Sequence, residues 1–203
     1  MRNVLVHGLG QNSSSWDKVR EYLGFDCCCP NLSEPIAGKT VNYSNLYEGF
    51  VKYCGGFPER LNICGLSLGG ILALNYAVDF PDRVSSLVLV GTQYRMPKAL
   101  LKFQNLIFRF MPNSSFKDIG FGKTDFIGLS KSMMDLNFSE ELEKITCPTM
   151  VIVGAKDKPN RKAAVEMTDK IRGCELKVIN GAGHEVNVDS PQELADLLSG
   201  FWA

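Results

Sequence analysis

Short apolar runs alternate with amphipathic stretches along most of the chain. Two runs, Leu87-Val88-Leu89-Val90 and Met150-Val151-Ile152-Val153, are apolar throughout, which is typical of strands covered on both faces. The pattern predicts strands over residues 3–7, 25–29, 61–64, 86–91, 149–154 and 175–180. It predicts helices over residues 14–22, 45–54, 68–80, 161–172 and 191–201. Such an alternation predicts an α/β fold, with a mostly parallel sheet flanked by helices.

One region interrupts this alternation. Residues 93–139 contain no convincing strand, and a set of apolar residues in them repeats at helical spacing: Leu100, Phe103, Ile107 and Phe110. We expect a small helical lid inserted between two parts of the α/β core, residues 1–92 and 140–203. Most of the stripe should pack on the core, and a few side chains should line a pocket beneath the lid.

The segment Gly65-Leu66-Ser67-Leu68-Gly69 carries the most specific chemical signal. Gly-x-Ser-x-Gly is the pattern of a nucleophile elbow, a sharp turn from strand to helix that exposes a serine hydroxyl. An apolar strand precedes it and an apolar helix follows it, as the pattern requires. An ordinary strand-to-helix turn with an incidental serine is the alternative.

Composition and charge exclude several classes of function. The chain has 203 residues, with 22 Lys and Arg against 22 Asp and Glu, and no long basic run. We therefore expect neither nucleic-acid binding nor membrane attachment, and no segment has the length and apolarity of a membrane span. Seven cysteines without a signal peptide predict a reduced, cytoplasmic protein.

The consecutive residues Cys27, Cys28 and Cys29 raise the question of a metal site. Neighbouring residues on a strand point to opposite faces, so the three thiols cannot all turn toward one ion. We expect no metal, and interpret these cysteines as small apolar residues of a buried strand.

Several motifs together resemble the α/β-hydrolase superfamily, in particular its small bacterial serine esterase-like members. The resemblance covers nearly the whole chain and rests on five segments in order: His7-Gly8-Leu9-Gly10 with Trp16, the Gly65–Gly69 segment, Phe80-Pro81-Asp82-Arg83-Val84, Gly154-Ala155-Lys156-Asp157, and Gly183-His184 with Pro191. Such proteins commonly begin with a hairpin for which this chain has no room, so we expect a sheet of about six strands. Cys29-Pro30-Asn31-Leu32-Ser33 replaces the usual Asp-x-x-Gly-x-Gly, and the loop after Asp157 is shorter than usual.

A serine hydroxyl needs a base to become a nucleophile, and that base needs a group that orients it. The chain has only two histidines, and His7 stands before a glycine turn that, by the resemblance, shapes the oxyanion loop. His184 is therefore the expected base. Asp157 is the expected orienting acid, because it follows a strand and the order Ser67, Asp157, His184 matches the resemblance. A helix cap or a solvated loop residue is the alternative for Asp157, and Asp125 and Asp135 are second choices for the acid.

The resemblance also implies an oxyanion hole built from the backbone N–H groups of Leu9 and Leu68. An apolar acyl pocket is expected to use Leu66, Phe103, Ile107 and Phe110. No cofactor is needed for this chemistry. The expected function is hydrolysis of small carboxylic esters through an acyl-enzyme intermediate, by a monomer or homodimer whose partner is a small-molecule ester. Acyl transfer, thioester hydrolysis, carbon–carbon bond hydrolysis and non-catalytic ligand binding remain alternatives.

Overall fold

The computed structural model describes residues 1–116 and 120–203 of the chain, and a parallel sheet lies at its centre. Its five strands are β1 (Arg2–Val6), β2 (Leu61–Leu66), β3 (Val84–Val90), β4 (Thr149–Gly154) and β5 (Glu175–Ile179). They lie in sequence order, and all four neighbouring pairs are parallel. The predicted α/β fold is thereby confirmed, and the carboxyl ends of the strands share one edge.

Helices connect and cover the strands. In the described part of the chain they are α1 (Asp17–Tyr22), α2 (Tyr43–Gly55), α3 (Leu68–Asp79), α4 (Lys98–Phe110), α5 (Lys123–Ser132), α6 (Lys158–Lys170), α7 (Val186–Asp189) and α8 (Pro191–Phe201). Short 3₁₀ turns cover Ser13–Trp16, Glu34–Ile36, Pro81–Arg83, Asn113–Phe116 and Leu142–Lys144. None of the helices in residues 1–116 and 120–203 is long and apolar enough to cross a membrane.

Alternating strand residues feed two separate cores on the two faces of the sheet. On one face, Ile63, Leu87 and Val151 pack with apolar residues of α2, α3 and α6. On the other, Cys64 and Val88 pack with Val19 of α1 and Leu194 of α8 among others. Both faces of the sheet are therefore buried, which explains why the central strands are continuously apolar.

The predicted strand over residues 25–29 forms only a single parallel bridge, between Cys28 and Val4 at the free edge of β1. Pro30 follows at once and has no N–H to extend the pairing. The side chains still alternate: Cys28 packs against one core, while Cys27 and Cys29 pack against the other. The sheet thus has five strands plus this bridge, against the expected six or so.

The chain between β3 and β4 leaves the sheet to form α4 and α5, with residues 117–119 outside the described part. Two backbone hydrogen bonds close the base of this segment: Met96 N–H donates to Leu136 O (3.1 Å), and Phe138 N–H donates to Tyr94 O (2.8 Å). These bonds lie near the ends of the predicted lid, residues 93–139. That the lid is a separate unit stays a prediction.

The expectation that the apolar stripe of α4 packs on the core is wrong. Leu100, Phe103, Ile107 and Phe110 are between 42% and 83% exposed. The predicted helix is present as α4, but a different face turns inward, the one that carries Phe108. Its ring packs edge-on against Phe116 of the following 3₁₀ turn and Phe126 of α5.

Candidate active site

Ser67 lies at a sharp turn between the end of β2 at Leu66 and the start of α3 at Leu68. Its backbone has φ 53° and ψ −113°, and it is the one non-glycine residue with positive φ in the described chain. Two hydrogen bonds hold the turn: Ser67 N–H donates to Val90 O (2.8 Å), and Ile71 N–H donates to Ser67 O (3.0 Å). A conformation that side chains rarely adopt is therefore fixed from both sides, as in strained functional turns.

The glycines of the turn permit its tight closure. A Cβ added at Gly65 would lie 2.3 Å from Gly69 O, and one at Gly69 would lie 2.3 Å from Val6 O. Either side chain would force the strand and helix apart. The Gly-x-Ser-x-Gly spacing is thus a steric requirement of this geometry.

His184 and Asp157 meet at the same edge of the sheet. Asp157 follows β4 and precedes α6, while His184 lies in the loop after β5. The imidazole Nδ1 lies 2.8 Å from Asp157 Oδ2. Because a carboxylate only accepts hydrogen bonds, Nδ1 carries the proton, and Nε2 is left as the basic nitrogen. The carboxylate is 3% exposed and the imidazole 43%, so the acid is fixed in the protein while the ring reaches the surface.

The backbone brings this pair close to Ser67. Val90, which accepts the Ser67 N–H, is followed by Gly91, and a Cβ at Gly91 would lie 3.1 Å from His184 Nδ1 and 3.2 Å from Asp157 Oδ2. No hydrogen bond joins Ser67 Oγ to His184 within residues 1–116 and 120–203. Such catalytic hydrogen bonds are often long in free enzymes and tighten when substrate binds.

Two amide side chains that were not predicted from the sequence as site residues, Asn160 and Gln93, form a hydrogen-bonded chain with Asp157. Asn160 Nδ2 donates to both oxygens of Asp157, at 2.9 and 2.8 Å. Gln93 Nε2 donates to Asn160 Oδ1 at 2.7 Å. The spacing of three residues from Asp157 to Asn160 in the first turn of a helix was the available signal, whereas only tertiary structure brings in Gln93.

His7 is excluded as a base by its environment. Leu32 N–H donates to His7 Nε2 (3.1 Å), so Nδ1 bears the proton and donates to Gly8 O (2.9 Å). Burial lowers the pKa of His7, which keeps the ring neutral. Both nitrogens are engaged, and the ring joins the backbone of Gly8 to that of Leu32.

A cavity of about 520 Å³ unites these groups. Ser67, Asp157, Asn160 and His184 line it, as do Leu9 and Leu68, whose N–H groups were expected to form an oxyanion hole. Leu68 is the first residue of α3, so its N–H has no partner within the helix, and the helix N-terminus favours negative charge there. The rest of the lining is mostly apolar and comes largely from the lid segment: Met96, Pro97, Leu100, Leu101, Phe103, Gln104, Ile107, Ser130 and Met133.

The structure corrects two of the expected pocket residues. Leu66 is 1% exposed and packs with Cys64, Val88 and Val90 on the opposite face of the sheet, because the last residue of β2 points away from the cavity. Phe110 is 83% exposed at the end of α4 and outside the cavity lining. Phe103 and Ile107 do line the cavity.

The second-choice acids have other roles. Asp125 Oδ2 accepts the Gly122 N–H (2.8 Å) and so caps α5. Asp135 is an exposed partner of Lys98, whose ammonium lowers the pKa of this carboxyl. Neither residue lines the cavity.

The cysteines are free thiols. Burial raises the pKa of Cys27 to about 12 and that of Cys29 to about 11, so both remain protonated near neutral pH. Within the residues that are described, no group of His, Cys, Asp and Glu side chains could hold a metal ion.

Comparison with known proteins shows the family and the fold. The model of a family described as the alpha/beta hydrolase family matches residues 4–197. The chain is 23% identical to a monoacylglycerol lipase of Xenopus laevis, over 98% of this chain and 74% of that protein. It is 26% identical to a 2-hydroxy-6-oxononadienedioate/2-hydroxy-6-oxononatrienedioate hydrolase of Pseudomonas sp, over 98% of this chain and 87% of that protein. The solved structure of an esterase from Exiguobacterium antarcticum has the same fold, with a TM-score of 0.79 at 17% identity, covering 100% of this chain and 92% of that one.

Proposed function

This chain belongs to the alpha/beta hydrolase family, and from that premise we propose that it is a serine hydrolase that cleaves small carboxylic esters through an acyl-enzyme intermediate. The observation that carries the proposal is the 2.8 Å contact of His184 Nδ1 with Asp157 Oδ2, in a cavity that Ser67 also lines. It supports a base whose Nε2 is free to take the Ser67 proton.

In the proposed reaction, Ser67 Oγ attacks the ester carbonyl carbon while His184 Nε2 takes the hydroxyl proton. The tetrahedral oxyanion accepts hydrogen bonds from the N–H groups of Leu9 and Leu68. Each donor of this kind contributes about 10²–10³ in rate. His184 then protonates the alcohol oxygen, the C–O bond breaks, and an acyl-Ser67 ester remains.

Water completes the cycle. His184 Nε2 takes a proton from the water molecule as its oxygen attacks the acyl carbon, and the second tetrahedral intermediate collapses to release the acid and Ser67. Asp157 stays a carboxylate throughout, holds the imidazole in its tautomer and stabilises the imidazolium in both steps.

The cavity indicates the class of ester. Its volume of about 520 Å³ lies in the range of small-molecule sites, and side chains such as Ile71, Met133, Phe103 and Ile107 make it largely apolar. We propose an ester with an apolar acyl group of moderate length. The relatives above are named as a lipase and as a hydrolase of an oxo-acid, so their names point to carbonyl substrates of different kinds and do not select one ester.

We also propose that the protein acts in the reduced environment of the cytoplasm. Its seven cysteines, which form no disulfide with one another, support this location.

A panel of nitrophenyl esters from acetate to decanoate tests the proposal. The wild type should show an optimum in acyl length, and Ser67→Ala should lower kcat by at least about 10³-fold. Ser85→Ala, at the opposite end of β3 from the site, is the matched control and should retain full activity. Hydrolysis that survives Ser67→Ala would reject the proposal. Product appearing only with an added alcohol or thiol acceptor would favour acyl transfer instead.

A further inference from the structure

The carboxylate of Asp157 receives more donors than its pairing with His184 requires. We propose that Asn160 is a positioning residue that, held by Gln93, fixes the Asp157 carboxylate and takes up part of its charge, so that less of that charge is left to stabilise an imidazolium at His184. The inference rests on the proposed function, since it concerns the base of that reaction. Asn160 does not itself reach the reacting atoms in this account.

The geometry leaves one orientation for the Asn160 amide. Its Nδ2 lies within 2.9 Å of both Asp157 oxygens, which offer only lone pairs, so the NH₂ group must face them. Gln93 Nε2 donates to the Asn160 oxygen on the other side (2.7 Å), and it also donates to Pro159 O (3.1 Å). Asn160 and Asp157 are both buried, so little water competes for these bonds. Gln93 thus prevents the amide from rotating away.

A third contact of Asn160 shows that Asn160 and His184 share the negative charge of the Asp157 carboxylate. Its Nδ2 lies 3.1 Å from His184 Nδ1. Both nitrogens carry hydrogen, because Nδ1 donates to Asp157, so this contact is between two donors that share one carboxylate. Hydrogen bonds stabilise the charged carboxylate, and the charge that Asn160 takes up is not available to stabilise an imidazolium. The positive end of the amide dipole beside the ring disfavours the protonated imidazole as well.

The other charges near His184 are weaker influences. Lys156 lines the same cavity, Glu185 is next in sequence, and Asp189 accepts the Gly183 N–H at 2.7 Å. All three side chains are exposed, so solvent screens them more than the buried Asp157 and Asn160. The lid segment contributes uncharged residues to the cavity lining, Gln104 and Ser130 among them.

NMR titration of His184 tests the inference without any need for turnover. The chain has only two histidines, so ¹³C-histidine labelling gives two signals, and His184→Gln assigns them. Asn160→Leu should move the His184 midpoint upward by about one pH unit, as expected for the loss of one or two hydrogen bonds to a charged group. Gln93→Leu should move it by less in the same direction. Neither substitution should move His7, and Asn113→Leu, at an exposed asparagine, should leave both signals in place.

Kinetics on the ester panel give the second readout. In Asn160→Leu the acid limb of kcat/KM should shift upward with the NMR midpoint, and the plateau kcat should fall by about tenfold while KM stays nearly constant. A merely structural residue would lower thermal stability and leave the acid limb in place. A His184 midpoint that is unmoved or lowered in both Asn160→Leu and Gln93→Leu overturns the inference. If Asn160→Leu does not fold, Gln93→Leu alone decides.

The two failures are distinguishable. Turnover or covalent labelling that persists in Ser67→Ala rejects the proposed function, whatever the NMR shows. An unmoved His184 midpoint in an enzyme that does depend on Ser67 rejects only the role of Asn160.

Discussion

The side-chain amides of Gln11 and Asn187 exchange two hydrogen bonds of 3.2 Å across 176 residues of sequence. Gln11 is two residues beyond Leu9, and Asn187 is three residues beyond His184, so this pair joins the expected oxyanion loop to the loop of the base. Asn187 Nδ2 also donates to Ser15 O (2.9 Å), and Gln11 Nε2 also donates to Glu185 Oε1 (3.1 Å). Both amides are buried. The positions of the two loops are therefore coupled.

Asn187→Leu should lower the free energy of unfolding by about 2–3 kcal/mol, because it leaves the buried Gln11 Oε1 without its donor and removes the hydrogen bond to Ser15 O. Gln11→Leu should act similarly. The double variant should cost less than the sum of the two, since it removes both halves of the pair. Urea unfolding of the four proteins measures this coupling. Strictly additive losses would show that the amides act independently.

The positive φ of Ser67 strains its backbone, and this strain gives a second prediction. Glycine adopts positive φ without the steric cost that side chains incur. Ser67→Gly should therefore be more stable than Ser67→Ala by about 1 kcal/mol, or 2–4 °C in Tm. Both variants should be inactive, so activity does not complicate the comparison. Equal melting temperatures would mean that the turn holds no such strain.

Gly91 tests the contact between the end of β3 and the His184–Asp157 pair. Gly91→Ala should lower kcat by about tenfold or more, because its Cβ would lie 3.1 Å from His184 Nδ1 and displace the ring. Gly173→Ala is the matched control: Gly173 also has positive φ, 71° against 53° for Gly91, but nothing lies within 4 Å of its added Cβ. Both variants should lose stability, and only Gly91→Ala should lose kcat. Equal effects on kcat would trace the loss to strain alone.

The buried His7 predicts how stability depends on pH. Burial lowers its pKa in the folded state, so the unfolded chain binds a proton more readily than the folded one. Its contribution to stability is complete above the unfolded pKa of about 6.5 and is lost as pH falls toward the lower folded value. Between pH 7.5 and 5.5 the wild type should therefore lose more stability than His7→Gln, by at most about 1.4 kcal/mol per pH unit. Identical slopes in denaturant unfolding would contradict this.

Much of the α/β fold could be predicted from local patterns in the sequence. The strands over residues 86–91 and 149–154 were predictable because burial on both faces leaves a continuous apolar run. The turn at Ser67 was predictable because its glycines are a steric need. The single bridge at Cys28 was not predicted, because the apolar pattern of residues 25–29 matches a full strand, although the missing N–H of Pro30 limits the pairing.

The failures have a common physical cause. The helical period of α4 could be predicted from its apolar residues. Which face of the helix turns inward depends on partners outside the helix, such as Phe116 and Phe126. Leu66 neighbours Ser67 in sequence, yet strand alternation sends its side chain to the other face. The contacts of Gln93 and of Gln11 with Asn187 depend on tertiary structure, which no single stretch of sequence encodes.

Covalent labelling with a fluorophosphonate tests the central claim most directly. The wild type should gain the mass of one phosphonyl group, with the adduct on the peptide that contains Ser67, and at a rate that falls as His184 becomes protonated. Ser67→Ala should gain none, and His184→Gln should react much more slowly. A phosphonyl adduct on Ser67→Ala, or a rate unchanged in His184→Gln, would contradict the account.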